Sequence, residues 1–345
     1  KQEITQQAIS NLKSNSMKHK IFLTAWLIAA VCTVSCSKTQ TEPVNKSNES
    51  FNGQTELTVR INRSLTKSST ITDDDEVKVK TLQVFVFRGD ALDAYASAEN
   101  VSEVTLSCTN GERSVYALVN APDMCHISSK TALLATKSTL SDYPEYGFEM
   151  IGHKDIILPQ TSTVTIDVTR MVSRVILKQV TRNFTSSALA DLEFKIDEVY
   201  LLNVAEDTNY GLTDAPEHWI NAGWYDGSLP ELTHDNTEAD IINGDCWPMN
   251  CRYYAYPNDS EDSTEEDWCP RRTRLVLKTT LGGKVYYYPV TLPELEPNKS
   301  YEIENLTITR PGSDNPDKPV TFQEATFDIN VLPWSVVPVT EGVTI

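Results

Sequence analysis

Glycine is scarce, 13 of 345 residues, and none of it stands in a phosphate-cradling or nucleophile-elbow pattern: G-x-x-x-x-G-K-[ST], G-x-G-x-x-G and G-x-S-x-G are all missing. Histidine is scarcer still, with five, and H-E-x-x-H does not occur. The common nucleotide-binding and hydrolytic chemistries are thereby excluded, and no enzyme activity, metal or cofactor is expected. Cations are also in deficit: 30 Lys and Arg against 48 Asp and Glu give a net charge of −18. The imbalance deepens when residues 1–35 are set aside, since they hold Lys1, Lys13, Lys18 and Lys20 against Glu3 alone. Such a surface repels phosphate backbones and anionic lipid. The densest basic cluster, Pro270-Arg271-Arg272-Thr273-Arg274, directly follows an acidic run that offsets it, so nucleic acid is not an expected partner.

No apolar run approaches the roughly twenty residues of a membrane span. The longest, Ile21 to Val31, has the length of a signal-peptide core, with the basic head Met17-Lys18-His19-Lys20 before it. Behind it come Thr33-Val34-Ser35-Cys36-Ser37 and a polar stretch without apolar periodicity. This is similar to a bacterial lipoprotein signal over residues 17–36, in which Cys36 is the lipidated residue and its acyl chains, palmitate among them, anchor an otherwise soluble protein. Thr33 stands where such signals prefer Leu, and a plain secretory signal or membrane anchor is the competing reading. Residues 1–16 read as an upstream extension and 37–55 as a polar linker. Beyond Cys32 and Cys36 five cysteines remain, Cys108, Cys125, Cys246, Cys251 and Cys269. Five is odd, so at least one stays unpaired within the subunit; export permits disulfides, but spacing does not fix their connectivity. Zinc would need a second close Cys pair or a nearby histidine, and only His126 adjoins a cysteine.

What the chain has in quantity is period-two alternation. Leu57, Val59 and Ile61 alternate with polar neighbours, as do Leu82, Val84 and Val86, with Phe85 and Phe87 on the opposite face. The texture returns in Val164–Val168, Arg174–Val180, Leu192–Asn203, Arg274–Thr280, Lys284–Leu292, Tyr301–Thr309 and Thr326–Val331. Turn chemistry at Asn110-Gly111, Gly282-Gly283, Pro297-Asn298 and Pro311-Gly312 separates several of these strands. Helical periodicity is confined to Ser128–Ser138 and Ser186–Ala190, so α/β crossovers are not expected. The predicted fold is all-β: two antiparallel β-sandwich domains with short helices in loops, at 56–170 and 171–345, meeting near Val168–Val172 without a Gly/Ser linker. A wet, acidic insertion, Asn203–Glu266, decorates the second domain; its Trp219, Trp224, Trp247, Tyr253, Tyr254 and Tyr256 need apolar cover.

Several constellations read first as ordinary structure. Asp259–Asp267 has carboxylates at alternate positions but lacks the turn glycine and terminal Glu of an EF-hand, so it is read as a solvated loop. Asp73-Asp74-Asp75 is read the same way. The aromatics from Trp219 to Trp224 are either covered core, a subunit contact or a platform on which pyranose rings stack. His153 has no nameable partner and reads as a structural or exposed residue.

Particular segments carry a family likeness: Leu57–Arg63 followed by a polar loop and Asp73-Asp74-Asp75-Glu76; VKTLQVFVFRG from Val79 to Gly89; Ala98-Glu99-Asn100; GERSVYALVNA from Gly111 to Ala121; Arg170-Met171-Val172-Ser173-Arg174-Val175; Tyr301–Pro319; and Phe327–Trp334. In this order the sequence resembles the FimA-type major fimbrillins of Bacteroidetes, the type V pilins. Asn203–Glu266 is the least matched part. The resemblance implies transthyretin-like sandwiches, export as a lipoprotein to the outer membrane, and cleavage by an extracellular trypsin-like protease in the loop after the first strand. It further implies that the vacated groove is filled by a strand of the next copy, head to tail, in a cell-surface fimbrium with accessory anchor and tip subunits that supports adhesion.

On this chain the displaced strand maps to residues 56–63, with Leu57, Val59 and Ile61 as its buried face. The processing residue maps to Lys67, where the family usually has Arg, with Arg63 as the alternative. The donor is expected in the C-terminal segment 334–345, apolar and with nothing after it in the sequence. In an unbroken extended strand Val337, Val339, Val343 and Ile345 share one face, with Trp334 and Val336 on the other, and a bulge at Pro333 or Pro338 would reverse this. The alternative role is a surface lipoprotein or tip adhesin that binds a glycan or host protein through the aromatic-rich insertion.

Overall fold

Alternating apolar residues make a strand only where one face finds cover, and the first such stretch finds it on one face while both of its edges are paired. The computed structural model describes residues 53–62, 76, 78–142, 147–321 and 324–334, within a compact unit spanning Ser50–Ile345. Strand β1 is Gln54–Asn62, with Leu57, Val59 and Ile61 buried and the residues between them turned outward. It is followed by β2 (Thr81–Arg88), β3 (Ala91–Glu99), β4 (Glu103–Thr109), β5 (Gly111–Val119), β6 (Lys137–Thr139), β7 (Met150–Leu158), β8 (Thr163–Asp167) and β9 (Thr169–Arg170). One sheet has the order β4-β1-β8 and the facing one β3-β2-β5-β7-β9. The turn at Asn110-Gly111 carries the chain from one sheet to the other, and Gly111 takes φ +117 there, in the region open to glycine. At Gly152 a Cβ would lie 2.2 Å from the Asp167 carbonyl oxygen, so only glycine lets β7 pass so close to the end of β8.

The remaining strands are β10 (Ser173–Arg182), β11 (Phe194–Leu202), β12 (Val204–Ala205), β13 (Asp207–Asn209), β14 (Trp219–Ile220), β15 (His234–Asp240), β16 (Cys246–Ala255), β17 (Arg274–Leu281), β18 (Lys284–Thr291), β19 (Lys299–Ile303), β20 (Leu306–Ile308), β21 (Ala325–Thr326) and β22 (Ile329–Pro333). One sheet runs β21-β20-β10-β19-β22, with β16 also pairing β10, and a second runs β15-β11-β17-β18. The fold is all-β with mainly antiparallel sheets; β1–β8, β10–β19 and β10–β20 are parallel. Short helices occupy Lys130–Ala135 and Ser187–Ala190, inside the two stretches with helical periodicity, and Pro230–Thr233 adds a third. No described helix is long and apolar enough to cross a membrane.

Two faces of the β2 sheet serve two cores. Val84, Val86, Val115, Ala117 and Val119 pack under β1, whereas Phe85, Phe87, Tyr116 and Leu118 join an apolar cluster that continues into the strands beyond residue 173. Alternation on a doubly buried sheet places apolar residues at both parities, which is why Val84-Phe85-Val86-Phe87 is apolar throughout. Strand β13 pairs with β6, tying the two halves by main-chain bonds as well.

The region 203–266 is not only a decoration. Its β16 runs antiparallel to β10, and Tyr253, Tyr254 and Tyr256 are core residues. That strand is illegible as alternation because its first half is largely exposed and its second half buried, with a register shift opposite Leu177–Gln179. All five described cysteines are unpaired.

Fully burying Leu57, Val59 and Ile61 contributes about 1.5–3 kcal/mol for each, against a net stability of about 5–15 kcal/mol for a typical domain. Leu57→Ala is therefore expected to lower unfolding free energy by about 2–5 kcal/mol in urea titration. Arg60→Ala on the same strand, which breaks only the exposed pair with Glu103, should cost no more than about 1 kcal/mol.

Candidate functional site

Strand β1 lies in the middle of its sheet, not at an edge. It pairs antiparallel with β4, Leu57 opposite Leu106 and Val59 opposite Val104, and parallel with β8, Val59 opposite Val164 and Ile61 opposite Ile166. Apolar residues thus stand side by side across all three strands, above a floor that includes Leu82, Val84 and Val115. Adjacent strands lie about 4.8 Å apart, so without β1 the strands β4 and β8 would face each other across roughly twice that distance, each with an unpaired edge. Cys108 of β4 is buried at this site, and burial pushes its thiol up to about 11. The site residues predicted on the first strand are all here; Cys36, Arg63, Lys67, Asp73–Asp75, Val336, Val337, Val339, Val343 and Ile345 lie outside the described residues.

A second feature borders both ends of that undescribed chain. Glu76, the first described residue after Asn62, is buried, and its carboxylate accepts hydrogen bonds from Arg174 Nη1 (2.8 Å), Tyr254 Oη (2.8 Å) and Trp334 Nε1 (3.3 Å). Arg252 Nη1 stands 3.5 Å from the same carboxylate. Arg170 donates twice to the Glu76 carbonyl oxygen (2.8 and 3.0 Å) and once to that of Trp334 (3.2 Å). Its guanidinium lies 4.3 Å over the Trp334 ring and that of Arg174 4.9 Å, while Phe148 and Tyr254 pack against the same indole. Burial pulls the Arg170 guanidinium down to about 10, with Glu76 opposing, so it stays charged at neutral pH. Trp334 N–H also donates to the Asn298 carbonyl.

The cluster therefore holds the residue where the segment from β1 arrives and the residue where the last segment, 335–345, departs. Sequence reasoning missed it as a site, although two arginines four residues apart in the apolar run RMVSRVILK were a usable signal: a cation in a buried strand needs an anion. The basic run 270–274 behaves likewise. Arg271 and Arg274 are buried on Asp317, and Arg274 also reaches Asp262, so these cations are spent inside the fold and the acidic run is partly stitched to them. His153 is exposed and stacks on Tyr116.

One grouping with the composition of a metal site exists among the described residues: Asp207, Glu217 and His218. Internal contacts use its atoms, for His218 Nδ1 bonds Asp207 Oδ2 at 2.5 Å, Asp207 Oδ1 accepts from Glu217 N–H, and Glu217 pairs with Lys137.

Comparison with known proteins bears on these features. Residues 55–177 match the family described as "Major fimbrial subunit protein (FimA)". The chain is similar to the major fimbrium subunit FimA type-2 of Porphyromonas gingivalis, 21% identical, over 88% of this chain and 94% of that one. Among solved structures it resembles a candidate cell adhesion protein of Bacteroides eggerthii (TM-score 0.63, 18% identity, 85% of this chain and all of that one). It also resembles the fimbrilin FimA of P. gingivalis W83 (TM-score 0.61, 16% identity, 82% and 98%). The FimA proteins in these comparisons are structural subunits of fimbriae, not enzymes, and the matched stretch begins in β1 and ends in β10.

Glu76→Gln removes the anion from a buried ion pair and is expected to cost about 3–5 kcal/mol in urea unfolding; Trp334→Ala should cost about as much through lost packing. For His218, the hydrogen bond and charge of Asp207 raise the imidazole pKa above its ordinary 6.5. Its stabilising contribution is full below the unfolded value and is lost as pH rises through the folded one. An NMR titration should place the folded value above 6.5, and Asp207→Asn should return it to the ordinary range.

Proposed function

We propose that this chain, a relative of the FimA-type major fimbrial subunits, is a pilin that polymerises into cell-surface fimbriae by protease-triggered donor-strand exchange and supports adhesion. The observation that carries the reading is the position of β1: an interior strand, bonded on both edges, whose three buried residues close an otherwise open core. A cut after Lys67, or after Arg63, separates β1 from the rest of the fold in sequence. Loss of β1 leaves two unpaired edges and an uncovered apolar floor, which an extended segment of another chain can satisfy by main-chain bonds and alternate side chains.

In this reading residues 56–170 form the acceptor domain and 171–345 the donor domain. Val337, Val339, Val343 and Ile345 replace Leu57, Val59 and Ile61, with the tail leaving from Trp334. Head-to-tail donation does not close on itself, so the product is a filament. The precursor is held at the outer membrane by acyl chains on Cys36. Because Cys36 precedes β1, the same cut that frees the groove also separates the lipid anchor from the subunit. The partners are further copies of the chain, anchor and tip subunits, and an extracellular trypsin-like protease. Glu76 stays with the body after either cut, so the buried cluster and the root of the tail are kept while the groove opens.

The test is limited digestion with a lysine-specific and an arginine-specific protease, followed by mass spectrometry, electron microscopy and thiol titration. Expected are one early cut after Lys67 or Arg63, loss of the β1 peptide and the appearance of fibres. Cys108 should be unreactive in the intact protein, where Cys125 and Cys246 are exposed, become reactive when β1 leaves, and be protected again in fibres. Fibres that persist after deletion of 335–345 would refute the donor assignment. A Cys108 that stays buried throughout, with no fibres, would refute strand exchange.

A further inference from the structure

Trp224 is 65% exposed, yet the turn that carries it is held by a buried polar network. Asn221, fully buried at φ +50, donates to the Leu201 carbonyl and exchanges hydrogen bonds with Asp226 across the turn. Gly223 N–H donates to Asn203 Oδ1 at 2.8 Å, and Asn203, also fully buried, donates to Asp317, which in turn is held by Arg271 and Arg274. Trp268 Nε1 shares Asn203 Oδ1 at 3.0 Å, and its ring stands edge-on to Trp219. Glycine suits this point: its φ is +74, a conformation that L side chains rarely adopt, and a Cβ would stand only 3.2 Å from Trp268 Cδ1.

The result is a fixed open groove of about 770 Å³ with Trp224 and the partly exposed Trp268 on its walls. Glu265, Glu266, Asn315 and Lys318 also line it. A fold gains nothing in stability by holding an indole in water, and the network that holds it uses two fully buried asparagines and two arginines.

We infer that this groove is a saccharide-binding site for neutral oligosaccharides, with Trp224 and Trp268 as the stacking surfaces. The flat apolar faces of a pyranose match indole rings, and its hydroxyls match the carboxylate, amide and ammonium groups beside them. Charge selects within the sugars. Arg271 is buried and committed to Asp317, leaving Lys318 against Glu265 and Glu266 on a chain of net charge −18, so sialylated or sulfated glycans are repelled. A rigid groove lowers the ordering cost of binding. The site is distinct from the β1 groove and its operation does not require polymerisation.

The experiment titrates the purified protein with lactose, maltotetraose, cellotetraose and lacto-N-tetraose, and with 3′-sialyllactose as the anionic control, read by tryptophan fluorescence and saturation-transfer NMR. At least one neutral sugar should bind, Trp224→Ala should weaken it by roughly tenfold or more, and Trp224→Phe should restore part of the loss. Circular dichroism identifies any variant that fails to fold, and Trp224 is exposed enough that its replacement should not unfold the protein. Absence of binding by all four neutral sugars, or tighter binding of sialyllactose, overturns the proposal. So does a Trp224→Ala protein that binds sugar normally but no longer forms fibres, which would make the patch a subunit contact.

Discussion

An ionised carboxylate buried in a protein must be surrounded by donors, and the rest of this structure is arranged around one that is. Glu76 is satisfied by groups from β10, β16 and Trp334, so a single electrostatic requirement fixes four chain segments relative to one another. Two of those segments lead directly to the stretches 63–75 and 335–345. Each donor removed leaves the carboxylate less fully satisfied in an apolar setting, which makes the arrangement cooperative. Trp334 belongs to the cluster twice over, as a hydrogen-bond donor and as the ring on which Arg170 and Arg174 stack.

The strand next to this cluster in sequence obeys a different constraint. β1 has an antiparallel neighbour on one edge and a parallel neighbour on the other. Any strand occupying that position, in either direction, meets one neighbour of each kind, so direction is weakly specified by the hydrogen-bond ladder. Register is specified strongly, because a slip of one residue would turn Leu57, Val59 and Ile61 outward. Spacing of apolar residues, more than backbone geometry, decides what can lie there.

The Asn203–Asp317 network performs a related task with neutral amides at its centre. There the buried polar groups support a turn and keep indoles at the surface, instead of drawing an indole into the core as Glu76 does with Trp334. The chain thus uses tryptophan in two ways, and sequence position alone does not distinguish them.

Much of the fold was legible in local pattern. Period-two alternation marked β1, β2, β8, β10 and β17, and the Gly282-Gly283 turn marked the β17–β18 hairpin, because strand geometry repeats every two residues and hairpin turns need left-handed backbone. β16 was hidden because its cover changes along its length, and the basic run 270–274 read as a charged cluster beside an acidic run, whereas Arg271 and Arg274 are buried on Asp317, more than forty residues away. The sequence by itself determined an all-β architecture, the inward face of the first strand and the absence of common catalytic motifs, since each depends on neighbours a few residues apart. Which charges are buried, and which tryptophans face water, was decided only by tertiary structure. Those properties depend on partners distant in the chain, as Trp334 is from Glu76 by 258 residues, and no local pattern specifies which distant groups meet.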